Sequence, residues 1–213
     1  MNNKNKPGSI YFSFSEIKKN IKDRDVVEYN KGQLDTNIAF VFACPGQEEK
    51  EKGKVVSGNT GNNLEILLQQ LKSNMCPGIC HGEGENVRYQ YCITNASKRV
   101  YYKGYKGKNR TLPYALDVYS DENMNRLKKE LDDKKVVICF GKSACKTIKK
   151  IKKTDRSVKW EIVETIHMGF QSLNRLDLSN EMSDLDSKER TKERLKEVAK
   201  KILKDVKRKL NNK

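Results

Sequence analysis

The stretch from Thr36 to Leu68, TNIAFVFACPGQEEKEKGKVVSGNTGNNLEILL, holds the densest set of side chains able to do chemistry. Carboxylates (Glu48, Glu49, Glu51) stand with amides (Gln47, Asn59, Asn62) in a loop spaced by Gly53, Gly58 and Gly61. A carboxylate can place a water or steady a developing cation, and an amide can read a polar ligand. Asn95 ends a second apolar run, VRYQYCITNA. His167, one of only two histidines, ends another beside Met168 and Gly169. The segment Ser97 to Arg110 carries six Lys or Arg and the rings Tyr101, Tyr102 and Tyr105. Such a mixture suits phosphates and stacked bases, although a flexible solvated loop would have the same composition. Cys76, Cys80 and His81, with Cys92 later, are loosely spaced and lack a second close pair, so no metal is expected.

These residues need elements to position them. Asp35 to Ala43 reads as a strand that stops at the Cys44-Pro45-Gly46 turn. The polar loop follows, and then a helix from Gly61 to Lys72 with Leu64, Leu67, Leu68 and Leu71 on one face. Val87 to Ala96 reads as a second strand, Lys135 to Phe140 as a third and Trp160 to His167 as a fourth. Helices are expected at Asp121 to Leu131 with Asp121 as N-cap, and at Lys142 to Ile151. A short helix is expected at Ser15 to Ile21, and a linker at Asn180 to Asp186. A long C-terminal helix, Ser187 to Leu210, carries an apolar stripe. Strands alternating with helices give an α/β fold, a parallel sheet covered on both faces. In such sheets, loops at the carboxyl ends of strands bind ligands. Residues 1–34 read as an N-terminal extension and residues 35–213 as one domain, expected to be monomeric.

The formal net charge is +16, from 44 Lys and Arg against 28 Asp and Glu. That excess favours a polyanion, above all nucleic acid. No apolar run is long enough to span a membrane, and the opening residues MNNKNKPGSI lack the apolar core of a signal peptide. A cytoplasmic location is therefore expected, with the six cysteines reduced.

Taken in order, the strand ends resemble those of the uracil-DNA glycosylase superfamily, most closely its family 4 enzymes. Their first motif, Gly-Glu-Ala-Pro-Gly, an acidic loop and Gly-x-x-Phe-Val-Gly-x-x-Gly, is similar to Phe42 to Gly46, Gln47 to Glu49 and Gly53 to Gly61 here. Ile93-Thr94-Asn95 with the basic Lys98-Arg99, Val136 to Ala144, and His167-Met168-Gly169 resemble the remaining motifs. The resemblance spans roughly residues 35–176. It implies a three-layer α/β/α sandwich on a four-stranded parallel sheet, and cleavage of an N-glycosidic bond after a nucleotide is flipped from double-stranded DNA. Family 4 enzymes hold an iron–sulfur cluster on four cysteines. The Cys-x-x-Cys is missing here and Lys98-Arg99-Val100 replaces the third ligand, so no cofactor is expected.

The resemblance also implies roles. His167 becomes the donor to the leaving base's O2, and Glu49 the carboxylate for water or cation, with Glu48 as the alternative. Asn95 becomes the base reader, and its amide fits uracil in one rotamer and cytosine in the other. Ala43 stands at the usual Glu position, and Cys44 where other families place Asp or Asn. Gly46 replaces a blocking Tyr of classical enzymes and Val56 a stacking Phe. With Asn95, these residues give a pocket for a pyrimidine larger than uracil, such as a hydroxymethylated or glucosylated cytosine of phage DNA. Ser57, Asn59 and Thr60 are expected at a DNA phosphate, Lys98, Arg99 and Lys142 on the backbone, and Gln171, Asn174 and Arg175 in the gap left by the flipped base. No lysine in the first motif suggests a Schiff-base lyase, so a monofunctional enzyme is expected. Competing readings are a deaminated-pyrimidine repair enzyme, a DNA-binding protein without catalysis (favoured by Ala43 and Cys44), and a metal-dependent nucleotide hydrolase. The charge predicts DNA affinity that falls steeply as salt rises, because bound lysines release counterions. A dissociation constant that stays flat between low and moderate salt contradicts this.

Overall fold

The computed structural model describes residues 26–77, 79, 84–176 and 185–211. Four strands form one parallel sheet in the order β2-β1-β3-β4. They are β1 (Ile38–Phe42), β2 (Cys92–Asn95), β3 (Val136–Phe140) and β4 (Glu161–Thr165). β1 and β3 are wholly buried apolar runs, as strands covered on both faces must be. Their alternate side chains divide the core. Ile38, Phe40 and Phe42, with Ile138 and Phe140, meet the helices α2 (Gly58–Ser73) and α7 (Ser187–Asn211). Ala39, Val41, Val137 and Cys139 meet Leu127 of α4 (Asp121–Glu130) and Ala144, Ile148 and Ile151 of α5 (Lys142–Thr154). The expected α/β sandwich with a long C-terminal helix is what the chain forms.

The chain leaves β1 toward β2 and later leaves β3 toward β4, in opposite directions. The two connections part at the carboxyl ends of β1 and β3. A crevice opens where a parallel sheet reverses in this way, and ligands bind there. Three short helices border that end: α1 (Gln47–Lys52), α3 (Ala115–Tyr119) and α6 (Phe170–Leu173).

Several local expectations change. The acidic part of the polar loop is helical, forming α1, and α2 starts at Gly58 rather than Gly61. Ser120, not Asp121, caps α4, its hydroxyl accepting from the Asn123 N–H at 3.3 Å. Val87 to Gln90 is a 3-10 turn, and β2 begins only at Cys92. Tertiary contacts override the β-rich sequence there. The Arg88 N–H and guanidinium both bond Glu65 of α2, at 3.1 and 2.8 Å, and the Gln90 carbonyl accepts from Gln33 and Leu34. Residues 26–34 lie against the β2 edge through antiparallel bridges, Val26 with Arg99 and Asn30 with Ile93. The expected helix at 15–21 lies outside the described residues, as does most of the expected linker.

A buried polar network holds the end of β2. Arg126 of α4 donates to Glu130 at 2.7 Å, to the Thr94 hydroxyl at 3.2 Å and to the Asn95 carbonyl at 2.9 Å. Thr94 in turn donates to Glu130 at 2.6 Å. The Glu130 side chain is only 7% exposed, so removing its cation leaves a buried charge. Arg126→Ala is expected to destabilise the fold by about 3 kcal/mol. Denaturant melts check this, and a loss below about 1 kcal/mol would mean that water replaces the guanidinium.

Candidate active site

The crevice contains a cavity of about 190 Å³. Its floor is Phe42 and Ala43, with the Phe42 ring stacked on Phe140 at 4.5 Å between centroids. Seven residues singled out from the sequence line it: Cys44, Gly46, Glu49, Val56, Thr60, Asn95 and His167. They come from four separate segments, joined here by parallel pairing. Phe42 is in register with Asn95, and the Ala96 and Ser97 N–H groups bond the Phe42 and Ala43 carbonyls. The Gly141 N–H bonds the Thr165 carbonyl at 2.9 Å and so sets the start of the His167 segment.

Asn95 is 3% exposed, and its amide nitrogen has no hydrogen-bond partner. A buried donor left unmet loses its hydration for no return, so this amide is suited to a ligand in the cavity. His167 is held in a defined state. Its Nδ1 accepts from the Gly169 N–H at 2.9 Å, which leaves the proton of the neutral ring on Nε2. Burial lowers its pKa, so the ring is neutral near pH 7. Gly141, at φ +86°, allows that ring to pack: an added Cβ would lie 3.3 Å from the His167 Cβ. Asn63 of α2 steadies the same segment by donating to the Met168 carbonyl at 2.7 Å.

Glu49 is the only carboxylate among the cavity's lining residues. Burial raises its pKa, while backbone N–H groups including those of Gly46 and Ser57 pull it down and Glu48 adds a smaller upward push. Its Oε2 accepts from the Gly46 N–H at 2.9 Å, as the third-position carboxylate of a capping box does. Gly46 is therefore partly a matter of room, since a Cβ there would lie 3.1 Å from the same oxygen. Cys44 is no base. Burial, with a smaller push from Glu49, drives its thiol up to about 12, and its Sγ lies 3.6 Å from the Thr111 carbonyl. Val56 sits on the wall at φ +51°, where a β-branched residue is strained.

The other expected residues scatter around this centre. Ser57 and Asn59 line a neighbouring polar cleft of about 450 Å³ together with Glu48, Lys54 and Arg88. Glu48 faces that cleft and pairs with Lys52 at 3.0 Å, so it is Glu49 that reaches the crevice cavity. The Ser57 hydroxyl donates to the Lys54 carbonyl at 2.9 Å. Lys98 pairs with Glu28 at 3.1 Å and Arg99 with Asp117. Lys142 is exposed at the first position of α5, next to Gly141. Gln171 and Arg175 are exposed beside α6, whereas Asn174 accepts from Arg194 of α7 at 2.8 Å. Cys76 is buried on the α2 and α7 face and Cys92 on the opposite face, so they cannot share an ion. Cys80 and His81 lie outside the described residues, and no group of three or more metal-ligating side chains occurs among the described ones.

Sequence reading missed Thr111 and Leu112, and it placed Tyr101 on a strand-tracking loop rather than at this cavity, which all three close from the segment after β2. It also missed Phe170, 46% exposed three positions after His167. Its exposure on a short helix beside the crevice was the one available signal, and only a structure gives it.

A switch-point cavity thus combines an orphan amide, one half-buried carboxylate and a neutral histidine. The chain belongs to the uracil DNA glycosylase superfamily, whose model matches residues 29–197. Membership implies DNA glycosylase activity, hydrolysis of an N-glycosidic bond in DNA, as the general chemistry. No curated protein matches the chain. Among the described residues, no helix is long and apolar enough to cross a membrane.

The Glu49 shift carries a sign that can be tested. A carboxyl whose folded pKa is raised stabilises the fold below its unfolded pKa, about 4.3, and that contribution is lost as pH rises through the folded value. Glu49→Gln, which keeps an acceptor for Gly46, is therefore expected to melt higher than the parent at pH 7, with the difference vanishing near pH 4. Thermal melts across that range check it, and a lower melting temperature at pH 7 contradicts the burial of an ionised Glu49.

Proposed function

We propose that the protein is a monofunctional DNA glycosylase that flips out a non-standard pyrimidine and hydrolyses its N-glycosidic bond. The observation that carries this reading is the convergence of Asn95, Glu49 and His167 on one small cavity. At about 190 Å³ it lies below the roughly 300 Å³ of drug-sized sites, which fits one flipped ring. The Asn95 amide pairs with the base edge and meets its unmatched donor. As the glycosidic bond lengthens, electrons pass to the base and negative charge gathers on O2. The His167 Nε2–H donates to that oxygen without giving up its proton, because a neutral imidazole is a weak acid. The ionised Glu49 faces the sugar, steadies its cationic character and orients the attacking water. The exposed Phe170 fills the stack that the base has left.

Both conditions, ionised Glu49 and neutral His167, hold on the alkaline side. The rate of base release is expected to rise from acid toward neutral pH with an apparent pKa above that of an ordinary glutamate, and Glu49→Gln is expected to remove the Glu49 part of that limb and leave the His167 part. Asn95→Ala and His167→Ala are each expected to keep the fold and slow base release by about 10²–10³-fold, the usual loss for one preorganised donor. Near-parental turnover in either variant refutes its role.

The favoured substrate is a C5-modified cytosine, hydroxymethylated or glucosylated, of the kind that marks phage DNA, and the role is anti-phage defence. Support comes from the wall: Val56 and Ala43 line the cavity where the family pattern has a ring and a carboxylate. The space beside Gly46 is taken up by Glu49, so room for a substituent has to come from the Val56 side. Duplexes carrying uracil, hydroxymethylcytosine and its glucosylated form, assayed side by side, test this. Release of uracil alone would make the enzyme a repair glycosylase. A second reading, DNA binding without catalysis, is favoured by the Gly46 to Glu49 capping bond, which gives that carboxylate a purely structural use. Tight DNA binding with no abasic product from any of the three bases, in duplex or in single strand, would establish it.

A further inference from the structure

Beside the base cavity lies a second, smaller groove of about 80 Å³. Three rings wall it, those of Tyr101, Tyr105 and Tyr114, and the cations Lys106, Lys108 and Arg110 border it. Tyr101 lines both hollows, so groove and cavity adjoin at that side chain. Tyr114 is 40% exposed, with Tyr101 edge-on at 5.9 Å and the Arg110 guanidinium 4.2 Å from its ring centre. The Tyr105 ring has the Lys50 and Lys106 ammonium groups over it at 4.7 and 5.4 Å. Two further apolar side chains at this edge, Leu112 and Leu116, are 53% and 79% exposed. On so charged a chain, that much uncovered apolar surface marks a contact.

A track for phosphates needs only cations. Rings interleaved with lysine and arginine form a stacking platform, because every nucleobase has a π-face while its strand brings the phosphates. A paired duplex keeps those faces inside its own stack. We propose that this groove is a second nucleobase subsite, which holds an unpaired base of the strand that also supplies the flipped nucleotide. The protein then works on single-stranded or locally melted DNA. The proposal rests on the glycosylase reading only for the identity of the adjoining cavity.

The test uses the full chain and DNA without any target base, so it does not depend on base release. Fluorescence anisotropy at one fixed salt concentration compares a single strand, the blunt duplex, and a single strand whose bases are replaced by abasic spacers. The base-bearing single strand is expected to bind at least about tenfold tighter than the other two, the effect of one or two stacked bases. The double variant Tyr105→Ala, Tyr114→Ala is expected to fall to the spacer level, and Tyr105→Phe, Tyr114→Phe to retain parental affinity, with thermal melts confirming that both fold. Spacer and base-bearing strands bound equally, a duplex bound as tightly as the single strand, or an unaffected alanine variant would each overturn the proposal. Loss of base release with the stacking preference intact would instead count against the glycosylase reading alone.

Discussion

The register of β1 against β2 is the constraint on which the site depends. Phe42 pairs with Asn95, so the turn at Cys44 and the amide of Asn95 emerge side by side at the same edge of the sheet. A slip of one residue would turn Asn95 from one face to the other. The pairing is set from both sides. Apolar residues alternate between two helical layers, and Arg126 clamps the Asn95 carbonyl, Thr94 and Glu130 in one polar network. The orphaned Asn95 amide can be maintained because the backbone beneath it is so fully bonded.

Burial then tunes each group differently. It raises the carboxyl of Glu49, lowers the imidazole of His167 and suppresses the thiol of Cys44. One cavity therefore holds a carboxyl shifted up, a histidine without charge and a cysteine that cannot act as a base. Val56 adds backbone strain to the same wall. Strain and an unmet donor thus meet at one cavity, whereas Arg126, Glu130 and Thr94 beneath it satisfy one another.

The positive charge is not spread evenly. The helix α5 carries Lys142, Lys146, Lys149, Lys150, Lys152 and Lys153 without one acidic residue. Lys149 is engaged by Glu164, and Lys150 lies over the Tyr119 ring at 4.2 Å. Lys98 and Arg99, next to β2, are likewise held by Glu28 and Asp117. Several of the cations that make the sequence look like a polyanion binder thus organise the protein's own loops, and others line α5, α7 and the segment after β2.

The sequence by itself determined the sheet and most of the site. β1 and β3 were legible because a strand buried on both faces must be apolar throughout, and α2, α5 and α7 because an amphipathic helix repeats its apolar positions. Cys44, Gly46, Glu49, Val56, Asn95 and His167 were legible through the resemblance to glycosylase motifs, and the parallel sheet gathers the ends of β1, β2 and β4 at one edge. Tertiary structure alone decided the rest. Val87 to Gln90 has the composition of a strand, yet Glu65 and the segment around Gln33 hold it in a 3-10 turn. Which of Glu48 and Glu49 reaches the cavity depends on the turn of α1, a helix too short to announce itself. Tyr101, Thr111 and Leu112 come from a segment without periodicity, placed over the cavity by bonds to Pro45 and Cys44 that no local pattern encodes. Local pattern specifies elements because each residue's burial is set by its near neighbours. A cavity is set by residues far apart in the chain, and only packing brings them together.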